Sequence, residues 1–192
     1  MNDFIFYFIE GWKHIISADA LDHQLFILAL AVIYTFKEWK QVLILVTAFT
    51  IGHSLTLALS VLNVISINTA LVEFLIPLTI VLTAIWNIFA GKKNGRVRTN
   101  YFFALFFGLI HGLGFANSIK MMLASDQSLV MGLFGFNVGL EAGQIVVVLL
   151  LLCITNLLVD LIKIPRRAYI VSVSVLILIV SANIVISRIS YL

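Results

Sequence analysis

The sequence predicts an all-α, polytopic membrane helix bundle, folded as a single transmembrane domain over residues 1–192. Three observations carry this reading. The chain is 62% apolar and only 11% charged, and its mean hydropathy of +1.13 lies outside the range of soluble domains. Its apolar runs are near twenty residues long, the length a helix rising about 1.5 Å per residue needs to cross a hydrocarbon core about 30 Å thick. These runs also lack the apolar and polar alternation of an outer-membrane barrel.

The elements follow in order. Residues 3–16 are apolar and aromatic but interrupted by Glu10, Gly11, Lys13 and His14. They predict an interfacial helix inside an N-terminal segment 1–20, ahead of a six-span bundle over 22–188. Acidic Asp3 and Glu10 precede the first base and no small-residue cleavage site follows, so this segment reads as mature protein rather than a signal peptide. About six transmembrane helices are expected, at 22–37, 41–62, 70–90, 100–121, 130–162 and 167–188.

The loops after the first, third and fifth spans carry Lys37 and Lys40, then Lys92, Lys93, Arg96 and Arg98, then Lys163, Arg166 and Arg167. The opposite side carries only Lys13, Lys120 and Arg188. Nine bases against three put the first set in the cytoplasm of a bacterial inner-membrane protein, with both termini outside. The formal charge of +3 is explained by this asymmetry, and nucleic acid is not an expected partner. The lone Cys153 excludes an intrachain disulfide and a thiolate metal cluster. In span five, Gly135, Gly139 and Gly143 form a ridge suited to close helix packing or mark a break, while Asn137, Glu141 and Gln144 share a face roughly opposite.

Ionisable groups in hydrocarbon are costly and mark candidate sites. By helical rise, His53 and His111 fall near mid-depth, Glu141 falls in the outer half, and Asp22 and His23 open span one from outside. Imidazole with carboxylate suits nickel, zinc, iron or copper, whereas calcium and magnesium prefer oxygen shells. A divalent transition metal, nickel or zinc foremost, is the expected ligand, with Thr50, Ser54, Thr56, Asn137 and Gln144 orienting its ligands. The plainer alternatives are helix capping for Asp19, hydrogen-bonded packing for either histidine alone, loop positions for Lys120 and Asp126, and solvated span ends for Glu10 and Glu73. Tyr7, Trp12, Trp39 and Tyr101 read as interface anchors.

Four segments, "GWKHIISADALDHQLFILAL", "LVTAFTIGHSLTLAL", "FGLIHGLGFA" and "FNVGLEAGQ", taken in this order and spacing, resemble the HupE/UreJ family of bacterial membrane proteins. The resemblance implies a hydrogenase or urease accessory permease for nickel or cobalt, with metalloenzyme maturation partners. It also implies roles for His14, Asp22 and His23, as the family's first His and Asp-His motif, and for His111, as the His-Gly of its second. Two departures stand out. Seven residues, rather than the five of nickel-associated members, separate His14 from Asp22, and no acid follows His111 within "HGLGFANS".

Three functions compete. A permease would pass a cation through His14, Asp22, His23, His53, His111 and Glu141. An intramembrane metallohydrolase acting on a lipid or membrane-borne peptide would use Glu141 or Asp22 as general base. A metal-free assembly factor would use none of them.

Overall fold

The computed structural model describes residues 3–90, 97–122 and 128–191. Lys92, Lys93, Arg96 and Asp126, and the side chains of Asp19 and Arg98, lie outside the described residues. Among the described residues the structure is helical with no strand, an all-α bundle. Its helices are α1 (Asp3–Ile16), α2 (Leu21–Ala31), α3 (Trp39–Val61), α4 (Thr69–Ala90), α5 (Val97–Gly114), α6 (Ala116–Met122), α7 (Leu129–Asn156) and α8 (Arg166–Ile189).

Four helices among the described residues are long and apolar enough to cross a membrane, and α5 with α6, bent by 46° at a break, is either a fifth, broken span or a re-entrant pair. The span expected at 22–37 is instead the 11-residue α2, about 16 Å long and too short to cross alone. It stops early because a new helical start intervenes. Glu38 accepts from the Thr35 amide at 3.1 Å and from its hydroxyl at 3.1 Å, a capping box that begins the turn leading into α3.

Residues 3–16, expected at the bilayer surface, pack lengthwise along α7. Gly135 and Gly139 face the backbone of Phe4 and Phe8, while Gly11 faces that of Phe136. A Cβ at Gly139 would collide with the Phe8 carbonyl, so the helices touch backbone to backbone. The pairing of 4 with 135 and 8 with 139 makes α1 and α7 parallel. The mixed character of α1 has a local explanation: Lys13 donates to Glu10 at 2.9 Å on its outer face, while Tyr7, Gly11 and Ile15 are buried.

The same device joins α3 to α5. Gly52 meets the Leu105 carbonyl, Gly108 meets that of Phe49, and Gly112 meets that of His53. The α7 helix runs unbroken past its glycines and ends in a π-helical turn, Leu157–Leu161.

Pro77 lies inside α4 and has no N–H to offer the carbonyl of Glu73. Arg188, at the far end of α8, supplies the missing donor at 2.7 Å. Its other terminal nitrogen holds Asp22 at 3.2 Å. One guanidinium thus ties α8 to a gap in the α4 ladder and to the start of α2.

Candidate metal centre

The break between α1 and α2 creates the site. In an unbroken helix, residues 14 and 23 would stand about 13 Å apart along the axis. Here a 3-10 turn, Ala18–Ala20, interrupts the chain, and the two rings come to 4.5 Å between centroids. Such a break exposes the last carbonyls of α1. The Gln24 amide answers them, donating at 3.1 Å to Ile15, 3.3 Å to Ile16 and 2.9 Å to Ser17.

The glycine contacts of α3 and α5 bring in the other two histidines. His53 neighbours Gly52 and His111 neighbours Gly112, so both sit where the backbones approach most closely. The His23 ring is 5.3 Å from His111 and 6.0 Å from His53, and His14 is 6.2 Å from His53. Ligand atoms of His14, His23 and His53 all lie within 4.8 Å of one another. His23, His53 and His111 are buried. Four phenylalanines wall the cluster: Phe115 stands 4.0 Å from His14, Phe136 5.6 Å from His14, and Phe26 and Phe49 5.2 and 5.1 Å from His111.

The hydrogen-bond inventory is unusual for so buried a group. His14 Nε2, His23 Nε2, both nitrogens of His53 and His111 Nδ1 have no partner. A buried polar atom left this way costs about 1–3 kcal/mol, and several in one place form a nitrogen donor set that could hold a metal. Thr79 prepares the fourth imidazole. Its hydroxyl donates to the Ile76 carbonyl at 2.7 Å, so toward His111 Nε2, at 3.3 Å, it can only accept. That puts the proton on Nε2 and leaves Nδ1 a bare lone pair. Neutral nitrogen donors of this kind fit nickel, zinc, copper or iron and not calcium or magnesium.

The acids stand elsewhere. Asp22 turns to Arg188, and Glu141 accepts from the Thr47 hydroxyl at 2.7 Å. Among the described residues neither joins the three-histidine group. Opposite charge draws Asp22 away, and Glu141 finds its donor on α3. Of the residues expected to orient ligands, Thr50 donates to Gln144 at 2.8 Å, while Ser54, Thr56 and Asn137 donate to the carbonyls of Thr50, Gly52 and Leu133. Sequence reasoning missed Thr79, Gln24 and Phe115. Thr79 carried one faint signal, a hydroxyl two residues past a proline inside an apolar helix.

The family model described as HupE / UreJ protein matches residues 1–188. The chain belongs to the HupE/UreJ family. No curated protein and no solved structure matches it. The match covers all four helices that contribute a histidine to the cluster. This HupE/UreJ chain is therefore a multi-pass helical membrane protein with a buried histidine cluster that could bind a metal.

Proposed function

We propose that this HupE/UreJ protein is an inner-membrane permease for a transition-metal cation, with nickel the first candidate and zinc the second. One observation carries the reading: imidazoles from α1, α2, α3 and α5 converge with five nitrogens unpartnered. His14, His23 and His53 hold the cation, and His111 offers a fourth donor. A donor set of neutral imidazoles, without a carboxylate among them, binds firmly enough to strip water and weakly enough to release. Membership in the family supports nickel as cargo and a metalloenzyme maturation pathway as its destination. In this reading α1 and α2 act as one broken span, both termini face outward, and the buried site lies beside the break at mid-depth.

The hydrolase alternative is less well supported. It requires a carboxylate beside a metal-bound water, and the two acids considered for that role are engaged by Arg188 and Thr47.

The test is uptake of radioactive nickel and zinc into proteoliposomes holding the wild type or the His53→Ala variant. Accumulation by the wild type alone is the expected result. Stoichiometric metal in the detergent-purified protein with no uptake in either direction would remove the permease reading and keep the metal site.

A further inference from the structure

We propose that the groove between α2, α4 and α5 is a binding site for one acyl chain of an anionic phospholipid. It is independent of the metal cluster.

The groove has a volume of about 490 Å³, in the range of built ligand sites. Its wall is hydrocarbon on the inside, from Ala29, Leu45 and Phe107, and it opens sideways between α4 and α5, where Phe89 is 80% and Leu82 52% exposed. A sideways mouth in a membrane bundle admits what the bilayer supplies.

Polarity changes along its length. At one end Asn100 donates to the Tyr34 hydroxyl at 3.1 Å, and both residues line the groove. The apolar end reaches Phe107, two turns farther along α5. Arg167 stands at the polar end, donating to the carbonyls of Asn87 and Ile88, with Asn87 and Phe89 in the groove wall on either side. Two carbonyls use only part of a guanidinium that carries five donors, so a phosphate can share it. Arg166, which donates to the carbonyl of groove residue Ile33 at 2.7 Å and pairs with Glu38 at 3.5 Å, lies at this end with Arg167, and the positive-inside rule assigns both to the cytoplasm. Apolar depth, a hydrogen-bonding collar and a cation at the mouth match an amphiphile with an anionic head, taken from the cytoplasmic leaflet.

Trp86 lines the groove and reports on its occupant. The chain has three tryptophans, so Trp12→Phe with Trp39→Phe leaves Trp86 alone. This protein is reconstituted in dioleoylphosphatidylcholine vesicles containing increasing brominated phosphatidylglycerol or brominated phosphatidylcholine. The expected result is half-quenching at a mole fraction of the anionic lipid about fivefold lower, the preference one basic residue confers. Arg167→Ala should abolish that preference, and Thr83→Phe, which fills the groove, should reduce quenching by both lipids. Coincident curves for the two lipids in the unblocked protein mean ordinary annular contact and overturn the proposal. So does shielding of Trp86 from both lipids, which would mean a second copy of the chain covers the groove.

Discussion

His14 and His23 belong to two different helices, yet their rings meet edge to face at 4.5 Å, closer than any other pair in the cluster. The histidine cluster is therefore a property of the α1 to α2 junction as much as of the histidines. Gln24 holds that junction by three hydrogen bonds. Replacing it with Leu takes this donor from the Ile15 and Ile16 carbonyls, while that of Ser17 keeps the Ala20 amide at 3.0 Å, and each loss of this kind costs about 1–3 kcal/mol. The Gln24→Leu protein should bind nickel more weakly and show faster amide exchange over residues 15–21. Unchanged exchange there would mean that the junction does not depend on Gln24.

His53 has neither nitrogen bonded within the protein. Elemental analysis of tag-free protein should find close to one equivalent of metal in wild type and background metal in His53→Ala. Asp22→Asn and Glu141→Gln should each retain the wild-type content, since their carboxylates are engaged elsewhere. Loss of metal in Glu141→Gln with His53→Ala still loaded would invert this assignment.

In the proposed permease Thr79 acts on a bound cation only through His111, whose Nε2 lies 3.3 Å from its hydroxyl. The Thr79→Val side chain keeps the shape and removes the acceptor, and loss of such an outer partner typically weakens metal affinity about 10- to 100-fold. Thr83→Val, one turn farther along α4, is the control: its hydroxyl bonds the Thr79 carbonyl at 2.8 Å. Competition with a chelator of known affinity separates the two variants.

Gly108 has no room for a side chain, because an added Cβ meets the backbone of Phe49 and not a movable side chain. Overpacking of this kind costs about 1–3 kcal/mol. Gly108→Ala should lower the thermal unfolding midpoint in detergent and loosen the metal site, since α3 carries His53 and α5 carries His111. A midpoint equal to wild type would show that the two helices separate at no cost.

Arg188 and Pro77 are coupled through the Glu73 carbonyl. In Pro77→Ala the new N–H fills the gap in the α4 ladder, so Arg188→Ala should destabilise that background less than wild type. A hydrogen bond from a charged donor is worth about 1.5–3 kcal/mol, and the coupling in a double-mutant cycle should reach about 1 kcal/mol. An additive pair would remove the link.

Much of this protein was legible in its sequence. Hydropathy and run length determined an all-α membrane bundle, because a hydrocarbon solvent leaves helices of spanning length as the ready way to satisfy every backbone group. Burial cost alone singled out His53 and His111. Position at the start of span one pointed to His23 beside Asp22, and the family's motif added His14. These inferences are local: each reads the composition of a segment or the depth of one residue.

What only the tertiary structure decided is which groups face each other. No periodicity tells residues 3–16 to lie against α7; that follows from glycines more than 120 residues away and from the fit of one backbone on another. Nor does depth decide whether Asp22 turns to a cation or to Arg188, or whether Glu141 joins the histidines or bonds Thr47. Depth along a helix is set by counting residues, but direction around it, and the partner waiting there, is set by every other helix in the bundle. The sequence determined that buried imidazoles needed partners, and the fold decided that they would face one another.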